Sequence, residues 1–210
     1  MWVRKSVLCV CLGLCASLPA SAQNVGVLQS AETIEKGVFK LMLAPIMTFG
    51  ENGADDELGL SARAGYGFTD RFDAEAKFAF FENSTYIGAD GEFWLLKGKE
   101  KDSGVDFSVA GGVHGTFGKE GRFDTIGFDV QPLLSGHLSD RVELYGALDA
   151  SFESIKDLPP GADDSFTRVN LVPGIEYRVS EQIDLVGEFG IGLNDDSPNY
   201  AGIGLAFYLH

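Results

Sequence analysis

GLSARAGYGFTDRFDAEAKFAF, residues 59–80, alternates along both of its arms. Leu60, Ala62, Ala64, Tyr66 and Phe68 fall on one side of the first arm, with Ser61, Arg63, Gly65 and Gly67 on the other. After Thr69 and Asp70 the pattern resumes, with Phe72, Ala74, Ala76, Phe78 and Phe80 opposed by Arg71, Asp73, Glu75 and Lys77. A period of two over this length means extended chain, because successive side chains of a strand point to opposite faces. The stretch predicts a β-hairpin, and the fold then depends on which face meets water.

Upstream, the chain opens with Arg4 and Lys5, an apolar run from Val7 to about Leu18, and Ala20-Ser21-Ala22. That order of charge, apolar core and small residues predicts a secretory signal over residues 1–22, cleaved after Ala22. Leu8, Val10 and Leu14 precede Cys9, Cys11 and Cys15, where a lipobox has a small residue. All three cysteines lie in the signal, so the exported chain has no disulfide to lean on. Its 188 residues suffice for one domain, and loss of Arg4 and Lys5 takes the formal charge from −15 to −17. Such a balance disfavours nucleic acid or a bare anionic membrane surface as a partner and favours cations and basic surfaces.

Residues 23–36, QNVGVLQSAETIEK, lack a clear period of two and form an N-terminal lead-in or a turn of helix. Beyond it ten alternating stretches follow, at about 37–49, 57–69, 71–81, 85–97, 106–117, 123–138, 141–154, 166–179, 182–193 and 199–209. No stretch reads as a long amphipathic helix. Three connections share one formula, GFTDRFDAEA, HLSDRVELYG and YRVSEQIDLV, with a small polar residue and an acid between hydrophobic arms. The intervening connections are mostly longer and rich in Gly, Pro and Asp, so two kinds of loop gather at opposite ends of the sheet. Only KGKEKDSG, residues 97–104, is long at the tight-turn end.

Alternation alone does not separate a soluble barrel from a membrane barrel. The distribution of side chains does. Phe39, Phe49, Phe68, Phe72, Phe80, Phe107, Phe117, Phe152, Tyr177 and Phe207 lie near strand ends of the apolar face, with aliphatic residues between them. Aromatic residues at both rims of an aliphatic band match the two interfaces of a bilayer. The opposite face carries Arg63, Asp73, Glu75, Lys77, Asp90, Glu92, Asp129, Asp149, Arg168, Glu176, Arg178 and Glu188, interleaved with many glycines. Glycine weakens a strand, so its abundance there predicts a narrow interior in which it makes room for long side chains from the opposite wall. The reading is an all-β, transmembrane, antiparallel up-and-down β-barrel of about ten strands over residues 37–210. Its charged face points into the lumen.

With Asp106, Glu143, Glu153, Asp184 and Lys40, the inward set holds twelve acids against five bases. Unpaired buried charge is costly, so a dry interior would force several acids to stay protonated. A hydrated lumen with mobile cations avoids that penalty and predicts a narrow, cation-favouring pore.

The last stretch, YAGIGLAFYLH, resembles the C-terminal recognition signal of bacterial outer-membrane barrels, with Tyr200, Gly202, Leu205 and Phe207 in its key places, although the chain continues to His210. The resemblance to small outer-membrane proteins covers residues 37–210. It implies a Gram-negative outer-membrane location, the barrel assembly machinery as a partner through the last strand, and outer-membrane lipid and lipopolysaccharide as surroundings. It also implies tight turns toward the periplasm and longer loops outside.

Ser135, His137 and Glu143 are the parts of a hydrolase, yet they fall at the tight-turn end, whereas barrel enzymes of this kind work at the outer end. His114 reads as a hydrogen-bonding lumen residue. The pairs Asp55-Asp56, Asp163-Asp164 and Asp195-Asp196 show no fixed metal-ligand spacing and read as solvated turns. No catalytic residue, cofactor or metal ligand is therefore assigned. The expected function is passage of small cationic or neutral solutes; the alternative is a sealed structural or surface-interaction barrel that binds lipopolysaccharide or another partner through its acidic outer loops.

Overall fold

The computed structural model describes residues 25–50, 56–98, 104–119, 123–158 and 164–210. The expected signal, Asp55, Asp163 and the middle of the 97–104 link lie outside the described residues. The strands are β1 (Phe39–Thr48), β2 (Glu57–Thr69), β3 (Phe72–Phe81), β4 (Ser84–Leu96), β5 (Val105–Gly118), β6 (Thr125–Ser139), β7 (Val142–Ile155), β8 (Ser165–Ser180), β9 (Ile183–Gly192) and β10 (Tyr200–Leu209). Each pairs antiparallel with its neighbour in sequence, and β1 pairs with β10 to close the barrel. Every expected stretch is a strand, displaced by no more than two residues at either end. Among the described residues there is no helix, and the lead-in is irregular.

Three of the tight turns are built alike. The hydroxyls of Thr69, Ser139 and Ser180 accept the backbone N–H groups of Arg71, Arg141 and Gln182, at 3.2, 3.4 and 3.3 Å. In each case the register slips by one residue just before the turn, at Gly67/Thr69, His137/Ser139 and Arg178/Ser180. A short hydroxyl side chain that bonds two residues ahead stabilises a turn without glycine. The slip adds local twist where the strand must reverse.

The outward face is apolar. Phe39, Leu41, Leu43, Leu60, Phe80, Val113, Leu134 and Ile203 are exposed, while Arg63, Asp73, Glu75, Lys77 and Glu92 are buried inside. Aromatic contacts gather at both rims: Phe39, Tyr66, Phe68 and Phe72 form a chain of rings at the tight-turn end. Phe128 stacks on Phe152, and Phe49 meets Phe189, toward the other end. A sheet closed on itself leaves no unpaired edge in hydrocarbon, so an apolar exterior of this kind fits a lipid surrounding.

The inward glycines do make room, but chiefly for rings on the adjacent strand. Gly59 lies opposite Phe81, Gly174 opposite Tyr145 and Gly190 opposite Tyr200. A Cβ on any of these glycines would collide with the facing ring. Each ring therefore lies flat over its paired glycine and keeps the interior narrow. Charged side chains from the opposite wall, the expected occupants, do not fill these spaces.

Gly174→Val should displace the Tyr145 ring and lower the free energy of urea unfolding in detergent by about 1–3 kcal/mol, the usual cost of overpacking. Gly146→Ala, on the same hairpin but where an added Cβ meets nothing within 4 Å among the described residues, should be neutral or stabilise by up to about 1 kcal/mol.

Candidate functional site

The lumen is occupied by the chain's own N-terminal segment. Just before β1 the backbone turns: Val38 N–H donates to Glu35 C=O at 3.0 Å, and Gly37 adopts φ +85°, a conformation suited to glycine. Gly67 on β2 receives this turn, accepting from Gly37 N–H at 2.8 Å and donating to Val38 C=O at 3.1 Å. A Cβ at Gly67 would collide with the Glu35 carbonyl, so the bare backbone is what lets the segment pass. From there residues 34 to 25 run up the interior.

An irregular segment inside a barrel brings amide groups that have no sheet partner, and burial makes each of them costly to leave unpaired. The barrel wall supplies the partners. Asp73 accepts Ile34 N–H at 2.6 Å, Ser135 Oγ accepts Ala31 N–H at 3.2 Å, and Glu188 accepts Val27 and Leu28 N–H at 2.8 and 2.6 Å. Arg63 donates to the carbonyls of Val25, Gly26 and Val27. Gln29 donates to Glu92 at 3.2 Å, and Tyr145 adds a hydroxyl to Glu188 at 2.8 Å. The apolar side chains Val25, Val27, Leu28 and Ala31 join a buried stripe with Met42, Ile46, Leu133, Val172 and Val186.

The remaining inward residues form ion pairs and hydrogen bonds around this segment. Lys40 Nζ lies 2.8 Å from Glu75, and Arg63 is 3.7 Å from its other oxygen. Lys77 pairs with Asp90. His114 bridges Asp129 at 2.9 Å and Glu153 at 2.7 Å and stacks on Tyr86, while Arg168 also bonds Glu153. Gln131 donates to Asp149 at 2.8 Å, and Trp94 Nε1 and Gly98 N–H donate to Asp106. Glu176 and Arg178 stand at the tight-turn end, Arg178 3.9 Å from Asp184 and half exposed. Much of the acid excess is thus met by neutral N–H and O–H donors, a source of balance that counting charged side chains overlooks.

Space inside is divided unequally. A chamber of about 990 Å³ lies at the tight-turn end, lined by Glu32, Glu35, Asp73, Glu92, Asp106, Glu176 and Asp184 among others. Beyond the segment, the gap among Lys77, Tyr86, Asp129, Asp149 and Arg168 is only about 10 Å³. The β9–β10 loop leans over that far end, with Ser197 Oγ accepting Val169 N–H at 2.6 Å and Pro198 C=O accepting from Asn170. Asp195 and Asp196 on the same loop are exposed, and Asp56 accepts Gly50 N–H at 2.9 Å, a turn-forming bond.

Ser135, His137 and Glu143 do come near one another, since His137 faces Glu143 across the β6–β7 pair. Each is also engaged by the segment: Ser135 bonds Glu143 and takes Ala31 N–H, Ser30 reaches Glu143, and His137 Nε2 lies 2.9 Å from Glu32 Oε1. The residues that sequence reasoning missed are Val25 to Ile34 themselves, with Tyr145, Gln131 and Ser108 as lumen hydrogen-bonders. The available signal was the cluster Val25, Val27, Leu28, Ala31 and Ile34, apolar beyond what an exposed leader needs.

Ala31→Cys, in a chain starting at Gln23, should react slowly with a bulky thiol reagent because Ala31 is fully buried. Adding Glu188→Ala should speed that reaction at least about tenfold, since a hydrogen bond to a charged group contributes about 1.5–3 kcal/mol. Reaction rates followed by mass spectrometry check this.

The comparisons agree with this architecture. The family model of the outer membrane protein beta-barrel domain matches residues 7–209. No curated protein matches the chain. Among solved structures, an outer-membrane channel of Pseudomonas putida F1 is similar at 8% identity and TM-score 0.57, over 90% of this chain and 100% of that one. The N-terminal barrel domain of Pseudomonas aeruginosa OprF is similar at 14% identity and TM-score 0.38, over 83% and 98%. Ail, the attachment invasion locus protein of Yersinia pestis, is similar at 15% identity and TM-score 0.34, over 83% and 99%. At 8% identity the likeness to the Pseudomonas putida channel is one of fold, and it is the family match over nearly the whole length that places the protein: the chain belongs to the outer membrane protein beta-barrel domain family, β-barrels of the bacterial outer membrane.

Proposed function

We propose that the chain is a narrow, porin-like passage for small cationic or neutral solutes, and that its closed state is the one described above. The observation that carries this reading is the acidic chamber of about 990 Å³ that ends on a segment continuous with β1. A focused negative field concentrates cations at such a mouth. The closure is also removable in energetic terms. Each hydrogen bond from a charged group of the wall contributes about 1.5–3 kcal/mol, and ordering each residue costs about 1–2 kcal/mol, so a few bonds decide whether the segment stays. Withdrawal toward the tight-turn end needs no strand to break.

A second reading is favoured by the far half of the lumen, where Phe81, Tyr86, His114 and Tyr200 are buried and the gap among Lys77, Asp129, Asp149 and Arg168 measures only about 10 Å³. On that reading the barrel is sealed, and it serves as a structural or surface element whose loops meet lipopolysaccharide. Both readings take cleavage after Ala22 and insertion by the barrel assembly machinery through β10 as their starting point.

Single-channel recording in a planar bilayer under a KCl gradient separates the two. The intact chain should be mostly silent. Deletion of residues 25–34 should produce discrete steps whose reversal potential favours K⁺ over Cl⁻. Silence of the deletion variant, with folding verified by heat-dependent gel mobility, overturns the passage and leaves the sealed barrel.

A further inference from the structure

We propose that Glu32, His137 and Glu143 form a binding site for a divalent transition-metal ion of the Zn²⁺ class, which fastens the N-terminal segment to the β6–β7 hairpin. One ligand atom from each residue lies within 4.8 Å of the other two. Glu32 belongs to the segment, His137 lies near the end of β6 and Glu143 near the start of β7, so the site exists only while the segment is in place. This goes beyond the reading of the barrel as a passage, because the ion would bind whether or not the lumen ever conducts.

Three features of the cluster point to a ligand. Glu143 is 4% exposed; Ser135 and Ser30 bond its carboxyl, while its Oε1 has no hydrogen-bond partner among the described residues. A cation at the centre of the cluster would satisfy it. His137 Nε2 and Glu32 Oε1 are 2.9 Å apart, a little less than the ~3.4 Å edge of a tetrahedron whose metal–ligand bonds are about 2.0–2.2 Å. A small rotation of either side chain opens the pair for an ion. The side chains of His137 and Glu32 are 43% and 31% exposed, toward the chamber, so an ion has a route in.

The donor set decides the class of ion. An imidazole nitrogen with two carboxylates suits Zn²⁺ and its neighbours, whereas Ca²⁺ and Mg²⁺ prefer oxygen alone. Three protein ligands leave one position for water from the chamber, so the ion exchanges readily rather than being locked in. Sequence spacing brought His137 and Glu143 together but gave no hint of Glu32. His137 and Glu143 are separated by a hairpin turn, and Glu32 arrives from a segment that crosses the lumen.

The test uses Zn²⁺ alone, titrated calorimetrically into the folded chain in detergent, with folding verified by heat-dependent gel mobility. One ion per chain is expected. His137→Ala and Glu32→Gln should each weaken binding by about tenfold or more, and excess Mg²⁺ should not displace the ion. Glu32→Gln lies outside the strands and leaves the barrel itself untouched. With Ala31→Cys as the reporter, Zn²⁺ should slow thiol modification, and this protection should vanish with Glu32→Gln. Absence of Zn²⁺ binding, undiminished affinity in both variants, displacement by Mg²⁺, or binding that fails to protect the reporter thiol would each overturn the proposal. Conductance of the deletion variant bears only on the passage, so the two ideas fail separately.

Discussion

Every amide inside a bilayer must find its partner within the protein, and that requirement organises this molecule twice. On the outside it forces the ten strands to close, because an open edge in hydrocarbon has no water to fall back on. On the inside the same requirement meets an irregular segment whose amides have no neighbouring strand. Asp73, Glu188, Arg63 and Ser135 then act as a substitute ladder, donating and accepting where a sheet would have done so. The charged interior and the occupied lumen are therefore one solution to one problem.

The fold was legible because alternation and turn chemistry are local. A Ser or Thr two residues before the turn's last amide made the three hairpins recognisable, and the structure shows the hydroxyl bonds that explain the formula. The period divided each strand into two faces, and the aromatic rims on one and the charges on the other told which points inward. The segment over residues 25–34 was not legible, since its partners lie on β2, β3, β4, β6 and β9, far apart in sequence. The surplus of inward acids was visible, but the sequence does not tell a mobile cation from a backbone N–H as the group that satisfies a carboxylate.

Glycine illustrates the same limit. Its abundance on the inward face signalled a crowded interior, and the crowding is real. What occupies the space is set by pairing register: Tyr145 lies over Gly174 because the β7–β8 ladder puts them opposite each other. Register was not readable before the strands were paired. Gly67 differs from the rest, since what it admits is backbone rather than a ring.

The grip on the segment spans the seam where the two ends of the sheet meet. β1 joins β10 there, and the segment is held on one side by Arg63 of β2 and on the other by Glu188 of β9. Parting the seam would draw β2 and β9 away from each other, so one set of those bonds must break first. The segment thus acts as an internal lashing. Lateral opening of the wall and emptying of the lumen are linked events, and whatever stabilises one closure stabilises the other.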